Sequence, residues 1–314
     1  MKAQIPYLKD MKKTVAFSIL FLLLAGYSSA GDIPDNAGSS GLSFLKIGMG
    51  ARPVGMGEAF TAVSADVNCV YWNPAGLAKI DGFNLTFMHS QWFQQISSDY
   101  LATAFRIKQN SVGISLTLNR VPEIQIRDKP TSEPISVFDA EDVALVLAYA
   151  RSLNSKMDFG VSIKGLYEKI FVDEAFGLGF DVGVIYFLNN RLQVGCAILN
   201  VGPEMKLKEE KFSLPSVSKI GMIYKTNESY LNGDIMLGLD LVKPKDNDLK
   251  MHWGAEYAYR KSLFLRMGYQ FGYDEKNISF GFGLKHKRYK IDYAFVPFGS
   301  DLGDTHRISL EVKM

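Results

Sequence analysis

The chain has 314 residues, with 35 basic and 33 acidic side chains, a formal net charge of +2, and 47% hydrophobic residues. Basic and acidic residues are interspersed, which excludes a nucleic-acid surface; on length alone the chain would suit one or two domains. The two cysteines, Cys69 and Cys196, lie in unlike contexts and are read as two inert thiols rather than a disulfide.

Lys2, Lys9, Lys12 and Lys13 precede an apolar run from Val15 to Leu24, and Ser28 and Ala30 stand at −3 and −1 of a cleavage site before Gly31. A basic region, a short apolar region and a small-residue exit make residues 1–30 a secretory signal peptide. The signal also reads complete from Met11, a second candidate start. Its apolar run is too short to span a bilayer, and no cysteine follows it to carry a lipoprotein anchor. No later stretch is long and apolar enough for a spanning helix, so the exported chain is either soluble or a membrane barrel.

Residues 31–82 form the next segment. Gly48, Gly50, Gly55 and Gly57 break up its first half, a short helical stretch is expected from Glu58 to Val67, and Val70 to Ala78 follow. Small and apolar residues dominate and no strand is long enough to join a wall, which predicts a compact helical plug or a periplasmic cap. Asn73-Pro74-Ala75-Gly76 has turn chemistry, with Pro fixing φ and Asn bonding to nearby backbone, and should lock the plug in place.

From Phe83 onward, apolar and polar residues alternate. Phe176, Leu178, Phe180, Val182 and Val184 interleave with Gly177, Gly179, Asp181 and Gly183, and Ile308, Leu310 and Val312 with Ser309 and Glu311. Period two on this scale means strands with one apolar and one polar face. Strands are expected near 83–90, 98–107, 111–119, 141–151, 156–166, 175–187, 191–200, 216–225, 231–242, 250–259, 262–270, 276–285, 287–295 and 305–313. The fold class is therefore all-β: a 14-stranded antiparallel transmembrane β-barrel over 83–314, with the plug before it. Alternate links are tight, such as Lys108-Gln109-Asn110 and His286-Lys287, and the others longer, the longest being 120–140. Tight turns at one end and longer loops at the other are the pattern of an outer-membrane barrel, with both chain ends on the periplasmic side.

Tyr149, Tyr186, Tyr224, Tyr259 and Tyr289 fall on the apolar faces near the tight-turn end, as an aromatic girdle would. The polar faces carry Arg106, Lys164, Asp234, Asp240, Glu256, Arg266, Lys290 and Asp292 among many glycines. Mixed signs imply a solvated or salt-bridged lumen, and the glycines leave room for something packed inside.

The string Gly50-Ala51-Arg52-Pro53-Val54-Gly55-Met56-Gly57-Glu58-Ala59-Phe60, followed by Tyr71-Trp72-Asn73-Pro74-Ala75-Gly76-Leu77, resembles the PorV/PorQ group within the FadL-like outer-membrane proteins. The resemblance implies fourteen strands and an N-terminal segment inside the barrel, with Gly55, Met56, Gly57, Asn73, Pro74, Ala75 and Gly76 as its structural motif. Pro53, Glu58 and the C-terminal Met314, where many barrels end in an aromatic residue, depart from the usual pattern.

Nothing marks an enzyme. His89, His252, His286 and His306 lie on separate segments without metal-ligand spacing, and no nucleophile motif surrounds a serine. Lys245-Asp246-Asn247-Asp248 reads as a solvated loop, not a Ca²⁺ site. No cofactor and no metal is expected. Likeness to the PorV/PorQ branch implies a partner in type IX-like secretion, and the wider FadL likeness implies the alternative, passive uptake of hydrophobic compounds. Expected partners are outer-membrane lipid and either secretion-system proteins or a hydrophobic small molecule, with no nucleic acid. A soluble exported β-protein would leave the loop sorting and the girdle as coincidences.

Overall fold

The computed structural model describes residues 38–92, 95–130, 132–226, 232–299 and 303–314. The expected signal peptide, 1–30, and the first part of the plug segment, 31–37, lie outside the described residues.

Fourteen strands close one antiparallel barrel. They are β1 (Phe83–Gln91), β2 (Ser97–Ile107), β3 (Asn110–Ile126), β4 (Ser136–Asn154), β5 (Met157–Ile170), β6 (Asp173–Phe187), β7 (Leu192–Val201), β10 (Val217–Lys225), β11 (Gly233–Pro244), β12 (Lys250–Tyr259), β13 (Leu263–Phe271), β14 (Ile278–His286), β15 (Tyr289–Pro297) and β16 (Asp304–Lys313). The first and last strands pair from Asn84 opposite Lys313 to Gln91 opposite His306, so the sheet closes on itself. A two-stranded hairpin, β8 (Met205–Leu207) and β9 (Glu210–Phe212), stands in the link between β7 and β10.

The alternation does what period two requires. Outward positions such as Leu145, Leu178, Ile220, Leu265, Ile291 and Ile308 are exposed and apolar, while inward positions of the wall such as Ser162, Asp181, Asp240, Glu256 and Ser309 are buried. So much exposed apolar surface around a closed wall suits lipid, not water. Among the described residues no helix is long and apolar enough to cross a membrane, so any crossing is made by strands.

Three expectations need correction. The link after β5, at the end expected to carry only longer loops, is the two-residue turn Phe171-Val172. The link 120–140 is mostly strand: β3 and β4 continue past the wall as a two-stranded arm, Ile124 opposite Phe138 and Ile126 opposite Ser136. A register shift between Val121 and Ile124, where Pro122 lacks an N–H and Glu123 is left-handed (φ 59°), hides the alternation from a linear reading. The helix expected over Glu58–Val67 is absent. Gly57, Glu58 and Ala65 have φ of 61°, 64° and 62°, and the Phe60 and Thr61 N–H groups donate to Asp240 on the wall (2.9 and 2.8 Å) instead of to a helical carbonyl. The helical turns are instead Ser43–Lys46, Ala51–Gly55, Cys69–Trp72 and Pro74–Lys79.

Candidate functional site: a plugged lumen with an apolar cavity

The segment before β1 runs inside the barrel from the loop end to the tight-turn end. At the loop end Gly41 N–H donates to Ser213 O (3.2 Å), and Ser40 and Lys46 both bond to Asp246 in the β11–β12 loop. At the other end Phe83 and Met314 exchange backbone hydrogen bonds, each 2.8 Å long. Met49, Met56, Phe60, Val63, Trp72 and Leu77 between them are fully buried against the wall.

The plug touches the wall backbone to backbone because glycines face it. Gly254 and Gly268 are register partners on β12 and β13, and a Cβ on either would lie 2.2 Å from Met56 O or 2.0 Å from Gly57 N. Gly160 and Gly183 pair on β5 and β6 on the opposite side, where Cβ atoms would meet Ala75 N at 2.4 Å and Asn73 Oδ1 at 1.9 Å. Only a residue without a side chain permits this approach.

The motif residues lie in these contacts. Gly55 packs on Gly281, buried Met56 precedes the left-handed Gly57, and Gly57 N–H donates to Ser279 Oγ on β14 (3.0 Å). Asn73 caps the turn that holds Pro74, Ala75 and Gly76, its Oδ1 accepting from Ala75 N–H (3.1 Å) and its Nδ2 donating to Thr61 O (2.6 Å). Gly76 leaves room for Cys69 Sγ and Val63 O. Cys69 is buried and Cys196 exposed, both as free thiols.

Beside the Gly254–Gly268 contact, on the same two strands, an ionic cluster also pins the plug. Arg52 grips Glu256 of β12 with two hydrogen bonds (2.9 and 2.7 Å) and reaches Asp66 within the plug at 2.6 Å. Arg266 of β13 also holds Glu256 (2.6 Å) and pairs with Asp292 of β15 (2.8 Å), which Lys290 joins at 3.2 Å. Glu256 and Asp292 are buried but each shared between two cations, and Asp66 is buried against Arg52, the arrangement in which buried charge is tolerated.

Above the plug, toward the loops, lies a cavity of about 750 Å³. Leu42, Phe44, Leu45 and Ile47 of the plug segment, Trp72 at its floor, and Leu199, Val217 and Val242 of the wall line it. Most of the lining surface is apolar, but charged and polar side chains also border it: Glu58 pairs with Lys276 (3.2 Å), His252 Nε2 is 3.0 Å from the Tyr273 hydroxyl, Lys219 Nζ stands 4.5 Å over the Trp72 ring, and Asp142, Lys164 and Glu168 lie along the wall. Burial opposes the Glu58 carboxylate, yet Lys276 and the surrounding cations outweigh it and hold its pKa at about 2. Tyr71 fixes the strap above the floor, its hydroxyl 2.8 Å from both the Leu45 and Ile47 carbonyl oxygens.

The wall beside this cavity has a seam. The β6–β7 ladder shifts register between Phe180 and Val182, where left-handed Asn200 (φ 58°) bulges out. Asp181 Oδ1 accepts from Asn200 N–H (2.8 Å) and pairs with Lys164 (3.0 Å). Beyond Phe180, β6 has no β7 partner; there the β8–β9 hairpin covers it, Met205 packing on Gly177.

The five tyrosines all stand at the tight-turn end. Tyr149, Tyr186 and Tyr289 are exposed, and Tyr224 and Tyr259 half-buried. The sequence reading missed the cavity residues Leu42, Phe44 and Leu45; the only linear signal was their apolar spacing in an otherwise glycine-rich stretch. Among the described residues no group of acidic, histidine or cysteine side chains could hold a metal.

Residues 27–160 match the model of a family described as "Uncharacterised protein family (UPF0164)". No curated protein is similar to the chain in sequence. Among solved structures, the Ralstonia pickettii toluene transporter TbuX superposes with a TM-score of 0.61 at 14% identity, over 85% of this chain and 98% of that one. The CymD monoaromatic hydrocarbon channel gives 0.60 at 12% identity, over 84% and 96%. A Pseudomonas aeruginosa FadL homologue gives 0.54 at 10%, over 84% and 98%. The chain thus has the fold of the FadL-like outer-membrane barrels.

Proposed function

We propose that this chain is an outer-membrane barrel for passive uptake of small hydrophobic compounds, which bind in the apolar cavity above the plug. The cavity carries the reading. Its volume of about 750 Å³ lies within the range of small-molecule sites, and the larger part of its lining surface is apolar, with charged groups such as Glu58 and Lys276 held in ion pairs. The structural neighbours named as toluene and monoaromatic hydrocarbon transporters lend support. The plug backbone, packed on wall glycines, closes the axial route below the cavity. We assign the exit to the β6–β7 seam, where strand pairing lapses beside the cavity lining.

The test is equilibrium binding of isotope-labelled toluene to the folded protein and to Leu199→Trp, whose larger side chain narrows the cavity. Saturable binding that Leu199→Trp weakens supports the reading; no saturable binding to the parent protein overturns it.

A second reading, a secretion partner, rests on the PorV/PorQ-like string and on the β3–β4 arm, whose tip exposes Ile135 and Val137. Plug packing already accounts for the string residues, so the arm is what this reading would use. Replacing 127–135 by a short turn would leave toluene binding intact but abolish client capture if the arm docks exported proteins.

A further inference from the structure

The tight-turn end of the barrel carries a one-signed patch that neither the plug nor the cavity uses. The turn after β12 is Arg260-Lys261, the one after β14 is flanked and filled by Lys285, Lys287 and Arg288, and β16 ends at Lys313; all six are exposed. They are contiguous: Lys285 N–H donates to Ser262 O (2.7 Å) and Lys313 N–H to Arg288 O (2.9 Å), which stitches the turns together. Lys313 reaches an acid, Glu311, at 3.0 Å. Among the described residues the other five have no carboxylate within ion-pair distance. The loop end mixes signs throughout, with Glu141, Glu174, Glu209 and Asp248 set among lysines, whereas at the tight-turn end exposed Asp81 lies before β1, outside these turns.

The backbone shows that these charges are not the easiest choice for the turns. Arg260, Lys261 and Lys287 have φ of 49°, 55° and 54°, the left-handed region in which two-residue hairpin turns favour Asn and Gly. Long basic side chains stand at three positions where they cost backbone energy.

Their height gives the partner. Leu265, Leu284, Ile291 and Leu310 are exposed on the same strands, and Tyr259 and Tyr289 mark where that apolar band ends. Arg260 lies 5.1 Å from the Tyr259 ring, just past this border. Cationic heads beyond a tyrosine girdle sit at headgroup depth, where they attract anionic lipid. We propose that the Arg260–Lys313 patch binds anionic phospholipid headgroups of the leaflet at the tight-turn end.

The experiment places the folded full chain in phosphatidylcholine nanodiscs containing a minority of phosphatidylglycerol and counts retained lipids by native mass spectrometry. The variant Arg260→Asn/Lys261→Gly/Lys287→Gly, with Lys285→Gln and Arg288→Gln, removes charge while giving the turns their favoured residues, so loss of fold does not confound it. The parent should retain phosphatidylglycerol over phosphatidylcholine on the order of tenfold, less at high salt, and the variant should approach parity with unchanged heat-modifiable migration. Parity in the parent, or an undiminished preference in the variant, overturns the proposal. Parity together with patch-dependent binding of polyglutamate would overturn it in favour of an acidic protein partner.

Discussion

Gly268 gives the sharpest test of how the plug is held. A Cβ there would lie 2.0 Å from Gly57 N, 2.4 Å from Gly57 Cα and 2.5 Å from Met56 C, all backbone atoms. Ordinary contact begins near 3.4 Å, so Gly268→Ala must drive the plug back by more than an ångström. Overpacking of this kind costs about 1–3 kcal/mol. The same displacement pulls the buried Gly57 N–H away from Val54 O and Ser279 Oγ, each at 3.0 Å, and an orphaned buried donor adds about 1–3 kcal/mol. The expected loss is therefore about 2–6 kcal/mol, read as a lowered urea midpoint in vesicles and as protease cleavage within the plug. Gly179→Ala is the control, since that Cβ would meet nothing closer than 3.5 Å and should be nearly neutral. Equal midpoints for the two variants, with no new cleavage, would refute a plug fixed by backbone contact.

Arg52→Met leaves Asp66 and Glu256 buried without their shared cation, and should lower unfolding stability by about 3–5 kcal/mol in a denaturant titration. Glu58 has a folded pKa of about 2 against an ordinary 4.5, so its contribution is complete above pH 4.5 and is lost as pH falls toward 2. Glu58→Gln should flatten the stability profile in that acid window and leave its shape above pH 5 unchanged. At the seam, Phe180 and Val201 are register partners with both side chains exposed on the outer face, so Phe180→Cys/Val201→Cys, made with Cys196→Ser, should cross-link under oxidant. Oxidation should then block vesicle uptake of toluene but not its binding, with reductant restoring uptake; uptake indifferent to oxidation would exclude the seam as the exit.

The wall was legible because one physical requirement, lipid outside and polar filling inside, is written into every second residue. Lys250–Tyr259 reads as a strand from the sequence with the bounds that the structure has. The β3–β4 arm was lost where Pro122 and Glu123 disturb the period, although the apolar residues beyond them still pair. Ala59, Phe60, Ala62 and Val63 have the spacing of one helix face, yet their burial comes from wrapping along the wall, and Asp240, far along the chain, takes the N–H groups that a helix would have used. Tertiary contact overrode local propensity there. The cavity was not legible because Leu42, Trp72, Leu199 and Val242 come together only when the barrel closes.

The glycines and the cavity are two consequences of one arrangement. Where the plug crosses the lower lumen, the wall has given up side chains so that main chain meets main chain, and little room is left between Met56 and Gly254 or between Ala75 and Gly160. Higher up, the strap from Leu42 to Ile47 stands off the wall, inward positions carry Lys219, Asn200 and Asn119 in place of glycine, and the cavity opens between them. A compound entering from the loops therefore meets an apolar chamber and then a floor held by backbone contacts and by Arg52. Passing down the axis would need those contacts broken together, including a bidentate buried ion pair worth several kcal/mol. Leaving sideways would need only the Asp181–Asn200 bonds and the β8 hairpin to yield, where the ladder has already lapsed. On the proposed uptake reading, the plug would serve as a floor that directs a bound molecule toward the wall.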